Sequence, residues 1–137
     1  MAERAASQWR EIDLHMSVAY LLASVTAEKL RGKQAAVHQA FYEAAKQFPD
    51  LLPGIAFSRD PSAPYSKALE RVLFCLVSSR LLSLSNPSFE EMEMTKAIKG
   101  RIKTRYGPQL KDKTQELEEA AKVVEEALRL GNLKSAA

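Results

Sequence analysis

Apolar side chains recur every three or four residues through most of this chain, and glycine or proline breaks the pattern at helix-length intervals. Trp9, Ile12, Met16, Ala19, Ala23, Ala27 and Leu30 keep that spacing, and Leu14, Val18, Leu22 and Val25 widen the face. An amphipathic helix is therefore predicted from about Ser7 to Arg31. Gly32 closes it. Val37, Phe41, Ala44 and Phe48 repeat the period from Gln34 to Gln47, where alanines favour helix and close packing. Pro49 stops that segment.

Residues 48–64 hold four of the six prolines, with Leu51, Leu52, Ile55 and Phe57 among them. Proline at this density prevents a long helix, while the apolar residues predict a proline-rich loop folded back onto the core. A short extended piece fits Ile55 to Ser58. Ser66 is placed to cap the next helix, which runs to about Leu82. Leu69, Val72, Leu73, Phe74, Leu76, Val77 and Leu81 make that helix apolar on nearly every side, the mark of a buried central element with Cys75 packed inside it.

Residues 82–106 admit two structures. Leu82, Leu84, Met92 and Met94 alternate about Asn86-Pro87, which suits a short β-hairpin near 82–94. Ser88-Phe89-Glu90-Glu91 reads instead as a capping box, and Lys99, Arg101, Lys103 and Arg105 approach the negative end of the helix it would start. Cap, dipole and the stop at Gly107 together favour a helix from Phe89 to Tyr106, with Met94, Ile98, Ile102 and Tyr106 on its core side. A last helix, about 109–130, carries the heptad-like seam Leu110, Leu117, Ala121, Val124 and Leu128 and ends at Gly131. The expectation is an all-α fold, a bundle-like single domain over residues 1–137 with about five helices. Its core is predicted to hold Trp9, Ile12, Met16, Val37, Phe41, Leu69, Leu73, Leu76, Ile98 and Ile102.

Composition narrows the function classes. At 137 residues and 46% hydrophobic the chain can build one core, and one cysteine excludes a disulfide framework. The apolar run Val72 to Val77 is far shorter than the roughly 20 residues that cross a bilayer. Met1-Ala2-Glu3-Arg4 lacks a secretory pattern, so a cytoplasmic protein without membrane association is expected. His15 and His38 lie in different helical segments without ligand spacing and read as surface or core-edge residues; Glu90, Glu91 and Glu93 suit a helix start. The five glycines are isolated, which leaves no phosphate-cradling loop. The expectation is no enzymatic activity, no cofactor, no metal and no small-molecule substrate.

Two functions remain. The seam Leu110, Leu117, Ala121, Val124 and Leu128 is a candidate partner-binding surface, which predicts a helical interaction protein, a small subunit or adaptor pairing with another protein or with its own copy. The alternative is nucleic-acid association. Residues 96–113 set Lys96, Lys99, Arg101, Lys103, Arg105, Lys111 and Lys113 against the single acid Asp112, while residues 115–130 are net acidic. Lys96, Lys99 and Lys103 share one helix side that would attract phosphate. A winged-helix-like DNA-binding arrangement is a further form of this alternative. There residues 66–80 would lie in the groove with Lys67, Arg71 and Arg80, although the wing tip, Ser85 to Glu91, is acidic.

Overall fold

The computed structural model describes residues 14–26, 29–31, 34–48, 51–52, 55–58, 64–85, 91–110 and 113–136; of residues 29, 31, 34, 84, 85, 91 and 130–136 it describes the backbone alone. Trp9 and Ile12 lie outside the described residues. Helices dominate, as expected: α1 (14–23), α2 (Gln34–Gln47), α3 (Lys67–Ser78), α4 (Lys96–Leu110) and α5 (Thr114–Ala136). Three short strands accompany them, β1 (Lys29–Arg31) after α1, then β2 (Ser83–Ser85) and β3 (Glu91–Glu93) between α3 and α4. They form one antiparallel sheet in the order β1-β3-β2.

The central helix is α1, where Ser17, Val18, Ala19 and Leu21 have no exposed surface. It joins Val37, Ala40 and Phe41 of α2, Leu69 and Leu76 of α3, Ile102 and Leu110 of α4, and Leu117, Ala121 and Val124 of α5 in one buried cluster. The helix expected to be central, α3, lies at the surface instead. Its inward side carries Leu69, Val72 and Leu76, whereas Phe74 and Cys75 are exposed. A run of consecutive apolar residues on a helix points in all directions, and the neighbours cover one side of α3 only. Leu73 and Ile98, expected in the core, sit half-buried at its edge.

The expected helix from Ser7 to Arg31 breaks after residue 23. Ser24 closes it, its N–H donating to the Tyr20 and Leu21 carbonyls. Two distant side chains then hold the exit. Lys99 Nζ donates to the Val25 carbonyl at 2.6 Å, and the Thr26 backbone N–H and hydroxyl both donate to the Glu125 carboxylate at 2.8–3.0 Å. Lys29 to Arg31 turn extended and pair with β3, Leu30 opposite Met92 and the basic Lys29 and Arg31 opposite the acidic Glu93 and Glu91.

The capping-box expectation for Phe89 to Tyr106 is likewise overturned, and the hairpin alternation prevails. Residues 91–93 form the middle strand, bonded to β1 on one side and β2 on the other, with Met92 and Met94 buried. A middle strand satisfies its backbone on both edges while alternation sends its apolar residues inward. Helix α4 starts five residues beyond Glu91 and continues through Gly107 and Pro108 to Leu110. Gly107 does not stop it because the helix is laid over α1, with the Tyr20 ring 3.7 Å from where a Cβ at 107 would stand. Helix α5 also continues past Gly131, where a stop was expected, to Ala136, and it packs along α2 and β1.

Candidate nucleic-acid interface

Helix α3 is fixed at both ends by devices written into its flanks. At its start Ser66 adopts an extended conformation and its Oγ accepts from the Leu69 N–H at 3.2 Å, the N-cap expected from sequence. The Ser66 N–H itself donates to Nδ1 of His38 on α2 at 3.0 Å, and the Tyr65 ring stacks on the imidazole at 4.7 Å. Ser58, in the extended piece 55–58, donates its N–H to the Tyr65 carbonyl and accepts the Tyr65 N–H on its Oγ. The proline-rich loop, with Leu51 and Leu52 buried, thereby ties the start of α3 to α2.

His38 is buried rather than at the surface or core edge. Its Nδ1 accepts, so the ring is neutral in this arrangement. Burial holds its pKa below the usual 6.5, and the Glu70 carboxylate pulls weakly the other way. His15 is also held below its usual value by burial, and its ring meets Tyr106 edge-on.

The other end of α3 closes in a Schellman motif. The Leu81 N–H donates to the Leu76 carbonyl and the Arg80 N–H to the Val77 carbonyl, with Arg80 in the left-handed region at φ 64°. Glycine normally occupies that position, because a Cβ there is strained.

Between these ends α3 presents a solvent face. At about 100° per residue, Lys67, Arg71, Phe74 and Ser78 fall in one line along the helix, opposite Leu69, Val72 and Leu76. Glu70 and Cys75 flank the line on either side, and all six of these flanking and facing residues are exposed, as is Arg80. Lys67, Arg71 and Arg80, named from sequence, thus lie on or beside one accessible helix. Phe74 was not among them. The signal was present in the spacing, because Phe74 stands three residues after Arg71 and four before Ser78.

The basic stretch 96–113 does not form the expected lysine face. Lys99 is buried at the end of α1, and Lys103 pairs with Glu118 of α5 at 3.8 Å while lying 5.8 Å from the Tyr20 ring centroid. Lys96, Arg101 and Arg105 are exposed, Lys113 is half-buried, and Lys111 lies outside the described residues. Arg101 and Arg105 border an open depression of about 590 Å³ floored by Gly100 and Ile102 beside Leu81. A second depression, about 520 Å³, lies between Ser24 and α5. Its rim charges are of both signs, with Glu126 bonded to Arg129 and Glu125 bonded to Thr26.

The seam residues Leu110, Leu117, Ala121, Val124 and Leu128 are all buried within the chain's own core. Leu110 ends α4 instead of starting the last helix, and the period of the other four records the packing of α5 against α2, so it does not mark a free partner surface in this arrangement. Among the described residues no group of histidine, cysteine and carboxylate side chains is placed to hold a metal ion, and no helix is long and apolar enough to cross a membrane.

Among the described residues the order is helix, strand, two helices and two strands, with β3 lying between β1 and β2 in the sheet. The connection from α2 to α3, residues 48–66, is much longer than the short turn of a simple helix-turn-helix. No family model, curated protein or solved structure matches the chain.

Proposed function

We propose that this chain is a non-enzymatic, cytoplasmic nucleic-acid-binding protein that lays α3 in the major groove of duplex DNA. The observation that carries the reading is the exposed line Lys67, Arg71, Phe74 and Ser78 on the helix that follows β1 and α2 and precedes the β2–β3 hairpin. A single α-helix fits the major groove of B-form DNA but not the deep, narrow one of A-form RNA, which favours duplex DNA over RNA. Arg71 supplies a fork for a guanine edge; Lys67 and Arg80 supply charge for phosphates. Arg101 and Arg105, exposed on α4, add to the basic surface.

The test is fluorescence anisotropy with labelled duplex DNA across a salt series. Affinity is expected to fall steeply as salt rises, and Lys67→Glu with Arg71→Glu is expected to abolish binding at moderate salt. Neutral versions of Lys67 and Arg80 should together make the log–log salt slope shallower by about 2, one unit per phosphate contact removed. Failure of the intact protein to bind any duplex at low salt overturns the proposal.

A second reading, a helical subunit or adaptor, draws on the exposed Phe74 ring instead of the buried seam. It predicts that Phe74→Ala releases a protein partner or a second copy while charge reversal at Lys67 does not.

A further inference from the structure

Resting on the DNA-binding reading above, we infer that Phe74 reads a thymine through its 5-methyl group, beside a base pair contacted by Arg71. Phe74 is 71% exposed. Tyr65, the other large exposed hydrophobic among the described residues, is accounted for by its stacking on His38. Phe74 has no such role. It stands at the middle of the solvent line of α3, one turn beyond Arg71 and one turn before Ser78, with Lys67 two turns away.

The surroundings select the occupant. One turn away on either side the ring is bordered by Glu70, Arg71 and Ser78, all polar and exposed, and by Val77, which is half-buried against the core. A protein partner seals a contiguous apolar patch against its own, and one ring among charged neighbours offers no such patch. A methyl group projecting from a polar groove wall is a closer match in size and setting. Thymine alone among the DNA bases presents one in the major groove, where phenylalanine can pack against it.

The rise of the helix sets the spacing. Phe74 lies about 4.5 Å further along the axis than Arg71, a step comparable with the spacing of successive base pairs. Arg71 bidentate to a guanine and Phe74 against the methyl of a neighbouring thymine therefore address adjacent base pairs. Glu70, beside this line, is placed to accept from a cytosine amino group and is unsuited to a phosphate.

The experiment starts from a randomised duplex pool, from which the intact protein recovers its bound sequences at low salt. Those sequences are then remade with uracil in place of thymine, which removes the methyl and leaves every hydrogen-bonding group. The protein is expected to bind the uracil duplexes roughly fourfold more weakly, the loss that one buried methyl corresponds to. Phe74→Ala is expected to bind both sets equally, with an unchanged salt slope and an unchanged melting temperature, since the position is exposed. Equal binding of both sets by the intact protein, or a preference that survives in Phe74→Ala, overturns the inference and leaves the DNA-binding reading intact. Absence of duplex binding overturns both. Sedimentation of the intact protein and of Phe74→Ala completes the test: an oligomer that the substitution dissociates assigns the ring to a contact between copies and overturns the inference.

Discussion

Two residues at the ends of α3 show how single side chains set the stability of this protein. His38 must accept from the Ser66 N–H, which the imidazolium cannot do. Because burial holds its folded pKa below 6.5, the unfolded chain takes up the proton more readily than the folded one. Stability from this group is then fully present above about pH 6.5 and is lost as pH falls through the lower folded value. Thermal melts between about pH 7 and pH 5 should show a falling melting temperature. His38→Gln, which retains an acceptor and does not titrate, should flatten the fall, leaving the part due to His15. Arg80 acts in the opposite sense. Relieving its left-handed conformation in Arg80→Gly is expected to raise stability by about 0.5–1 kcal/mol, read from denaturant midpoints. The same substitution should weaken duplex binding, as expected where charge is kept at a strained position.

At the scale of the element, α3 is amphipathic in placement although its sequence is apolar nearly all round. Leu69 is fully buried and Leu73 half-buried. Leu69→Ala is expected to cost about 2–5 kcal/mol and Leu73→Ala distinctly less, measured by urea unfolding. Equal costs would mean that α3 is covered on both sides. The spacing of Val37, Phe41 and Ala44 made α2 legible from sequence, and Ser66 marked the start of α3, because local period and local capping act within one turn. Strand β3 was not favoured from sequence, because Ser88 to Glu91 carry a good local helix signal. Its identity depends on pairing with β2 just before it and, on the other edge, with β1, which reaches it from far back along the chain.

Over the whole molecule α5 is the closing wall of the core. It covers α2 and β1, and its Glu125 holds the turn after α1. A chain ending before Thr114 would leave the buried surfaces of α1 and α2 open to water. It is expected to lose cooperative thermal unfolding and near-ultraviolet circular dichroism, whereas a chain whose last helix served a partner would stay folded without it.

Local pattern was enough for the helical character, the inward packing of Leu51 and Leu52, the cap at Ser66 and the core positions Met16, Val37, Phe41, Leu69, Leu76 and Ile102, since each follows from periodicity, apolar character or bonds within a few residues. The sequence also held the candidate residues Lys67, Arg71 and Arg80. Tertiary structure decided which apolar face stays exposed, why the first helix ends where Lys99 and Glu125 reach it, and how 29–31 join 91–93 in a sheet. It also turned the seam of α5 inward, buried Lys99 and set Lys103 against Glu118. Those outcomes rest on contacts between residues tens of positions apart, and a local pattern carries no record of which neighbour will cover it.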